Sequence, residues 1–311
     1  MSEEQELNTA RDFASLGKKE EARKILLKLY ESTNLNMNIK LNVILILLAV
    51  IDHVRENDQL VKLADEGIKI SQKIGKVDVK LYLLTRKSHF LISKMAFLTH
   101  RKKNLMLSAA VFDWIDFSLE KDKKEYEYIS AQREQLKKET DALEADIMKI
   151  IGNEKDHYLR GNIFMSLGES YGTKFLDTQT DLMVGGKIKT KLANIHLIKR
   201  WGLDKYLIFD RGSRKKINEC AKKCIGFFER SITEFTAGDK KSDLAHAYYN
   251  LSIQYNTMYK FAEARKCLDL AEELAKATEE QYLLNQIIAF RKQVKDQNRH
   301  IRNYVEELGL D

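Results

Sequence analysis

Proline is absent from all 311 residues, where average usage of ~5% would place about 15. Its ring removes a backbone donor and clashes inside a helix, so a chain without it is free to be almost wholly helical. A codon bias toward Lys, Ile and Asn would deplete proline as well. Cysteine is nearly as scarce. Three residues, an odd number, build no disulfide framework and fit a reducing compartment. Long apolar runs are also missing: the longest, 41–51, is broken by Asn42 and is too short to cross a bilayer. It is expected as a buried helix. The opening MSEEQELNTARD is acidic and polar, unlike a secretory signal. The expectation is a soluble, cytoplasmic protein with no membrane span. Catalytic signatures are missing too. There is no H-E-x-x-H, no P-loop and no dinucleotide fingerprint, and His53, His89, His100, His157, His196, His246 and His300 are scattered.

What is present is a globular balance, 44% apolar and 32% charged, with strong helical periodicity. The clearest stretch is Ser242 to Thr278. Its apolar and small positions fall at Tyr248, Leu251, Ser252 and Tyr255, then at Phe261, Ala264, Leu268 and Ala271. Steps of three and four put one stripe on each of two helices, with Met258-Tyr259-Lys260 as the break. Ser252 and Ala264 are small where the helices must approach. Tyr248-x2-Leu251-Ser252-x2-Tyr255 followed by Ala264-x3-Leu268 resembles the tetratricopeptide repeat, without its closing proline.

The scheme echoes elsewhere. Ala10, Phe13, Ala22 and Leu26 have the same spacings, with a turn at Leu16-Gly17-Lys18-Lys19. Leu48, Ile51, Leu60 and Ala64 follow, with a turn at Glu56-Asn57-Asp58. Residues 77–119 read as two helices, 77–99 and 102–118, parted by His100-Arg101-Lys102-Lys103; the stripe is Leu81, Leu84, Ser88, Leu91 and Met95. In 121–151, Ile129, Leu136, Leu143 and Ile150 recur every seven residues, with Thr140 and Ile147 between them. That pattern fits a long charged helix with a coiled-coil seam, or a helix pair with a hidden turn. Phe164-x2-Leu167-Gly168-x2-Tyr171 restarts the repeat, but the best partner, Ala221-x3-Ile225 with Phe228, comes only after an insert. Within 173–213, Gly185-Gly186 between Thr180–Val184 and Lys187–Lys191 reads as a β-turn. Ile195–Trp201 and Lys205–Phe209 could form a second strand pair, and a helix over Ile188–Lys199 competes. Residues 279–308 carry the stripe Leu283, Ile287, Phe290, Val294, Ile301, Val305 and Leu308 and read as one or two capping helices.

The expected fold is therefore all-α: a helical-repeat solenoid of antiparallel helix pairs with one inserted, partly β element at 173–213. N-terminal repeats occupy 1–172, with the long charged helix at 121–151, and C-terminal repeats with a cap occupy 214–311.

Three features bear on function. Gly168-Glu169-Ser170-Tyr171-Gly172 spells G-x-S-x-G, but that motif needs a strand-to-helix turn, whereas these letters also serve a repeat helix. Cys220 and Cys224, with Cys267 and His246, could be drawn as a zinc site. The repeat register reads Cys224 and Cys267 instead as equivalent small buried thiols. No catalytic residue, metal or cofactor is implied. The charge is uneven. Between Lys187 and Arg230 thirteen basic residues face four acidic ones, a balance of +9, so the rest of the chain carries −2 of the total +7. Trp201, Tyr206 and Phe209 are interleaved with them. Lys199, Arg200, Arg211, Arg214, Lys215 and Lys216 are the candidates for contact with nucleic acid or another acidic partner.

The resemblance implies a non-enzymatic scaffold that holds a partner protein or peptide on the concave face lined by the first helix of each pair. Carried over, that face comprises His246, Tyr249, Asn250, Ile253 and Asn256, with Asn162, Met165, Ser166 and Glu169 in the earlier repeat. Asn250 matches the asparagine with which peptide-binding members hold a ligand backbone. The basic set of a carboxylate clamp is not evident around it.

Overall fold

A computed structural model describes residues 2–33, 35–52, 56–111, 120–184 and 211–307. Eleven α-helices and no strand occur among them: α1 Glu3–Ser15, α2 Lys19–Tyr30, α3 Met37–Val50, α4 Asn57–Lys73, α5 Val77–Val111, α6 Glu120–Ile151, α7 His157–Val184, α8 Arg211–Ala237, α9 Lys241–Thr257, α10 Phe261–Ala277 and α11 Gln281–Glu307. No described helix is long and apolar enough to cross a membrane. The chain divides into two compact units, 1–95 with 134–153, and 96–133 with 154–311, so α5 and α6 contribute to both.

In the first unit α1 to α4 pack in sequence order. Ser2 begins α1 with a reciprocal capping box to Gln5, which satisfies two otherwise orphaned amides. The expected seam is buried: Ala10, Ala22, Leu26, Leu48, Ile51, Leu60 and Ala64 are all at 2% exposure or less. The apolar run around 41–51 is α3, with Leu41, Val43, Ile44, Leu47 and Leu48 inside the core. Gly67 lets α4 approach its neighbours, since a Cβ there would stand 2.9 Å from a Leu83 methyl and 3.2 Å from one of Ile44. Half-buried Glu66 accepts from the Tyr30 hydroxyl and pairs with Lys40 at 2.7 Å. Buried Lys87 is matched by Asp65 at 2.9 Å and Glu139 at 2.8 Å, as a buried cation must be.

In 77–151 one expectation changes and one open alternative is decided in favour of the long helix. Residues 77–111 form one helix, and His100-Arg101-Lys102-Lys103 lies inside it. With no Gly or Pro there, and with Arg and Lys good helix formers, charge alone does not break the backbone. The stripe holds nonetheless: Leu81, Leu84, Ser88, Leu91 and Met95 are buried. Residues 120–151 are likewise a single helix with no hidden turn, burying Ile129, Leu136, Thr140, Leu143 and Ile147.

The second unit holds two helix pairs of one design. In α10 the fully buried seam is Ala264, Leu268, Ala271 and Ala275; in α8 it is Cys224, Phe228, Ser231 and Phe235. Both run four, three and four residues apart, and both are offset by 40. This corrects the expected register: Ala221 and Ile225 are only half-buried. Cys224 therefore corresponds to Ala264, and the counterpart of Cys267 is Phe227. The misreading came from expecting a small residue followed by an aliphatic one, whereas here a thiol precedes a phenyl ring. On α7 the matching bulk is removed. A Cβ at Gly168 would stand 2.7 Å from the Phe228 ring, and one at Gly161 would stand 2.5 Å from Phe235. Ser231 Oγ donates to Gly161 O at 2.8 Å, and Cys224 Sγ to Gly168 O at 3.2 Å. Of the expected aromatic positions, Phe164 and Tyr171 are buried, while Tyr248 and Tyr255 are half-buried.

The turns repeat as well. Gly17, Gly75, Asp239, Tyr259 and Glu279 have positive φ. After each, the next amide reaches back five residues to a helix carbonyl, as in Lys18 N to Phe13 O at 2.9 Å and Lys260 N to Tyr255 O at 2.8 Å. This is the Schellman end, which satisfies carbonyls the helix leaves orphaned.

The 173–213 expectation is also corrected where it can be seen. Thr180–Val184 is the end of α7, not a strand, and 211–213 open α8. The segments Lys187–Lys191, Ile195–Trp201 and Lys205–Phe209 lie outside the described residues. Tyr171 to Cys224 spans 53 positions where Tyr255 to Ala264 spans nine, so 44 residues are added to this connection. Part of the addition simply lengthens α7 and α8. The tail is one helix, Gln281–Glu307.

Candidate functional site

The first helices of the second unit, α7, α9 and α11, run parallel, because each is followed by an antiparallel partner or is the last of the series. Side chains fix their register. Asn250 Nδ2 donates to Glu169 Oε1 at 2.8 Å, joining α9 to α7. Tyr249 meets the Phe290 ring edge-on at 6.0 Å, and Asn256 Nδ2 donates to Gln297 Oε1 at 3.0 Å, joining α9 to α11. His246 contacts Glu280 at 2.9 Å, in the turn before α11.

The residues expected to line a groove differ in burial and in what already engages them. Asn162, Met165, Ser166, Glu169, His246, Tyr249, Asn250 and Ile253 are half-buried and lie along the α7 and α9 parts of this row. Asn256 is 6% exposed, so it is a packing residue beneath Gln297. Asn250 is engaged within the fold by Glu169 and lies 3.7 Å from Met165 Sδ, so a ligand's backbone would have to compete with Glu169 for its amide. Asn162 turns its amide to Tyr158 O at 2.9 Å, a turn back on its own helix.

The motif residues singled out in the sequence are taken up by packing. Ser170, the middle of G-x-S-x-G, is buried inside α7 and donates to Ser166 O at 2.8 Å, so no nucleophile elbow exists there. Burial pushes the Cys224 thiol up to about 12 and that of Cys267 to about 11. Both stay protonated and act as small packing groups. Among the described residues no cluster of His, Cys, Asp and Glu could hold a metal ion.

Of the basic candidates, Lys199 and Arg200 lie outside the described residues, and Arg211 and Arg214 sit in the first turn of α8. Lys215 and Lys216 are exposed, with Lys215 only 4.0 Å from Glu219 one turn on. Deeper along the same pair, Lys223 donates to the Tyr171 hydroxyl at 2.8 Å and stands 4.9 Å from its ring centroid.

Sequence reasoning missed the length of α7 and α8. The signal was present: neither Gly nor Pro occurs in 173–184 or 214–225. No protein-family model matches the chain, and no curated protein matches it either.

Proposed function

We propose that the chain is a tetratricopeptide-like helical-repeat scaffold, not an enzyme, which holds a peptide or helix of a partner protein along the row α7, α9 and α11. The observation that carries this reading is that row itself. Phe164, Tyr171 and Ser252 are buried in its packing, while Met165, Glu169, Tyr249, Asn250 and Ile253 are half-buried on neighbouring helices. Stacked helix pairs of this kind make continuous recognition surfaces. A displayed random-peptide library tests it. Enriched peptides should bind the chain and lose about tenfold or more on Ile253→Glu, with little change between 0.1 and 0.5 M salt. No enrichment over an unrelated helical protein would reject the reading.

A second reading is favoured by the +9 balance of Lys187 to Arg230: binding of nucleic acid or another polyanion through that segment. Such binding falls steeply with salt, because displaced counterions are regained. Lys215→Glu with Lys216→Glu should weaken retention on heparin while leaving stability within about 1 kcal/mol, as surface changes usually do. Unchanged retention would reject this reading.

A further inference from the structure

Charge sets the row α7, α9 and α11 apart from the helices paired with it. Residues 161–173, 242–259 and 277–290, which supply most of the row, hold no Lys or Arg, although 53 of the 311 residues are basic. They hold four carboxylates, Glu169, Asp243, Glu279 and Glu280. The second helix of each pair differs. From Arg214 to Arg230, in α8, six basic residues stand with two acidic ones, and from Lys260 to Lys276, over α10, there are four of each.

Contacts place three of these carboxylates on the row. Glu169 accepts from Asn250 Nδ2 at 2.8 Å, and Glu280 meets His246 Nε2 at 2.9 Å. Asp243, three residues before His246, is half-buried. Burial raises its carboxyl and Glu280 adds to that, while its own backbone, His246 and Lys240 act the other way. Asp243 precedes Asn250 by seven residues, about 10 Å along the helix at 1.5 Å per residue. The row therefore presents negative charge at two levels, one at Glu169 and one at Asp243 and Glu280.

Aromatic surface accompanies them. Tyr249 meets the Phe290 ring edge-on, and burial, then nearby Tyr282, raises its phenol. Tyr282 is 76% exposed. It stands nine residues, two and a half turns, before Arg291, which pairs with Asp269 and Glu272 of α10. Tyr282 therefore lies on the side of α11 away from α10. A carboxylate beside a tyrosine ring suits an ammonium or guanidinium group, which bonds the first and rests on the face of the second. The aliphatic stem of Lys or Arg suits half-buried Met165 and Ile253. An acidic ligand would meet Glu169, Asp243 and Glu280 with no Lys or Arg of these stretches to answer it.

We propose that the row binds a basic segment of the partner protein, one Lys or Arg meeting Glu169 and a second meeting Asp243 and Glu280 beside Tyr282. This rests on the row being the partner-binding face and names what that face selects. Partly buried ion pairs are screened far less by salt than exposed ones, so binding of this kind changes little with ionic strength. The probe is the displayed random-peptide library. Enriched peptides should carry two or more Lys or Arg and a net positive charge. Neutral or acidic winners that are lost on Ile253→Glu overturn this proposal and leave the scaffold reading standing, whereas no enrichment overturns both. A fluorescein-labelled synthetic winner then gives affinities by anisotropy. Replacing its Lys and Arg by Gln should weaken binding about tenfold. So should Glu169→Gln or Asp243→Asn in the chain, and Glu169→Gln keeps an acceptor for the Asn250 amide. The Gln-substituted peptide should bind the unaltered chain and Glu169→Gln alike. Glu273→Gln, at an exposed position of α10, should change nothing. Circular dichroism melts of each variant separate lost binding from lost folding. Unchanged affinity in both Glu169→Gln and Asp243→Asn, or an equal loss in Glu273→Gln, would overturn the proposal.

Discussion

Gly168 is where a single atom matters most. The Phe228 ring is fully buried and fills the space a Cβ would need. Gly168→Ala should cost about 1–3 kcal/mol through overpacking, even after the helix gains from losing a glycine. Gly226 in α8 has nothing within 4 Å of its missing Cβ, so Gly226→Ala should stabilise by about 0.5–1 kcal/mol. Urea midpoints of the two variants should move in opposite directions. Phe228→Ala should cost about 3–5 kcal/mol, and Tyr255→Ala less, because that ring is only half-buried. In the first unit, burial and then the hydrogen bond to Glu66 push the Tyr30 phenol up to about 12. Its folded value is raised, so its contribution is complete below about pH 10, the usual tyrosine value, and is lost as pH climbs through the folded one. Glu66 moves the other way. Burial alone would raise it, but hydrogen bonds from Lys40 and Tyr30 outweigh that and hold it below the usual range. Its contribution is lost as acid protonates it. Denaturant midpoints should fall above pH 10, and Tyr30→Phe should flatten that alkaline fall. An identical fall in the variant would remove the hydroxyl from the account.

At the scale of the element, the Schellman turn sets where helices stop. Asp239, Tyr259 and Glu279 adopt a left-handed backbone that only glycine takes without strain. Glu279 is exposed, so Glu279→Gly should raise stability by roughly 1 kcal/mol. Tyr259→Gly should gain less, because it gives up the contact of Tyr259 with Phe261, 6.2 Å between centroids. Thermal melts of the pair decide this. The helix end at Gly17 was legible from its glycine and the one at Tyr259 from the two stripes on either side of it, but a Glu in the same role at 279 carries no mark of its own. A charged run inside a helix gave the opposite error at 100–103, because solvation of Arg and Lys is compatible with either a turn or a helix face.

At the scale of the molecule, helicity and the seam were legible because burial forces a period onto the residues. Ala264, Leu268 and Ala271 followed that period, and so did Leu60 and Ala64. The α8 register was not legible, since Cys224 and Phe228 satisfy the same space with an unfamiliar pair of volumes. The candidate groove was legible as a set of positions, but the coupling of Asn250 to Glu169 and the burial of Asn256 are consequences of neighbours far away in sequence. The long connection offers a test of the whole arrangement. Deleting 174–217 restores the nine-residue step from Tyr171 to the Cys224 position, and the deleted segment carries eleven basic and four acidic residues, the entire +7 of the chain. With Gly in place of Glu219 at the new turn, the shortened chain should keep its remaining helical ellipticity and lose retention on heparin. A collapse of ellipticity beyond the deleted residues would refute the pairing of α7 with α8.

The left-handed residues 239, 259 and 279 stand twenty apart, and α9 and α10 have 17 residues each. Such spacing makes 241–280 a self-contained cassette whose two ends meet identical junctions. A tandem copy of that cassette would be read in phase, adding one storey to the array and one more place beside α11 without disturbing what lies on either side.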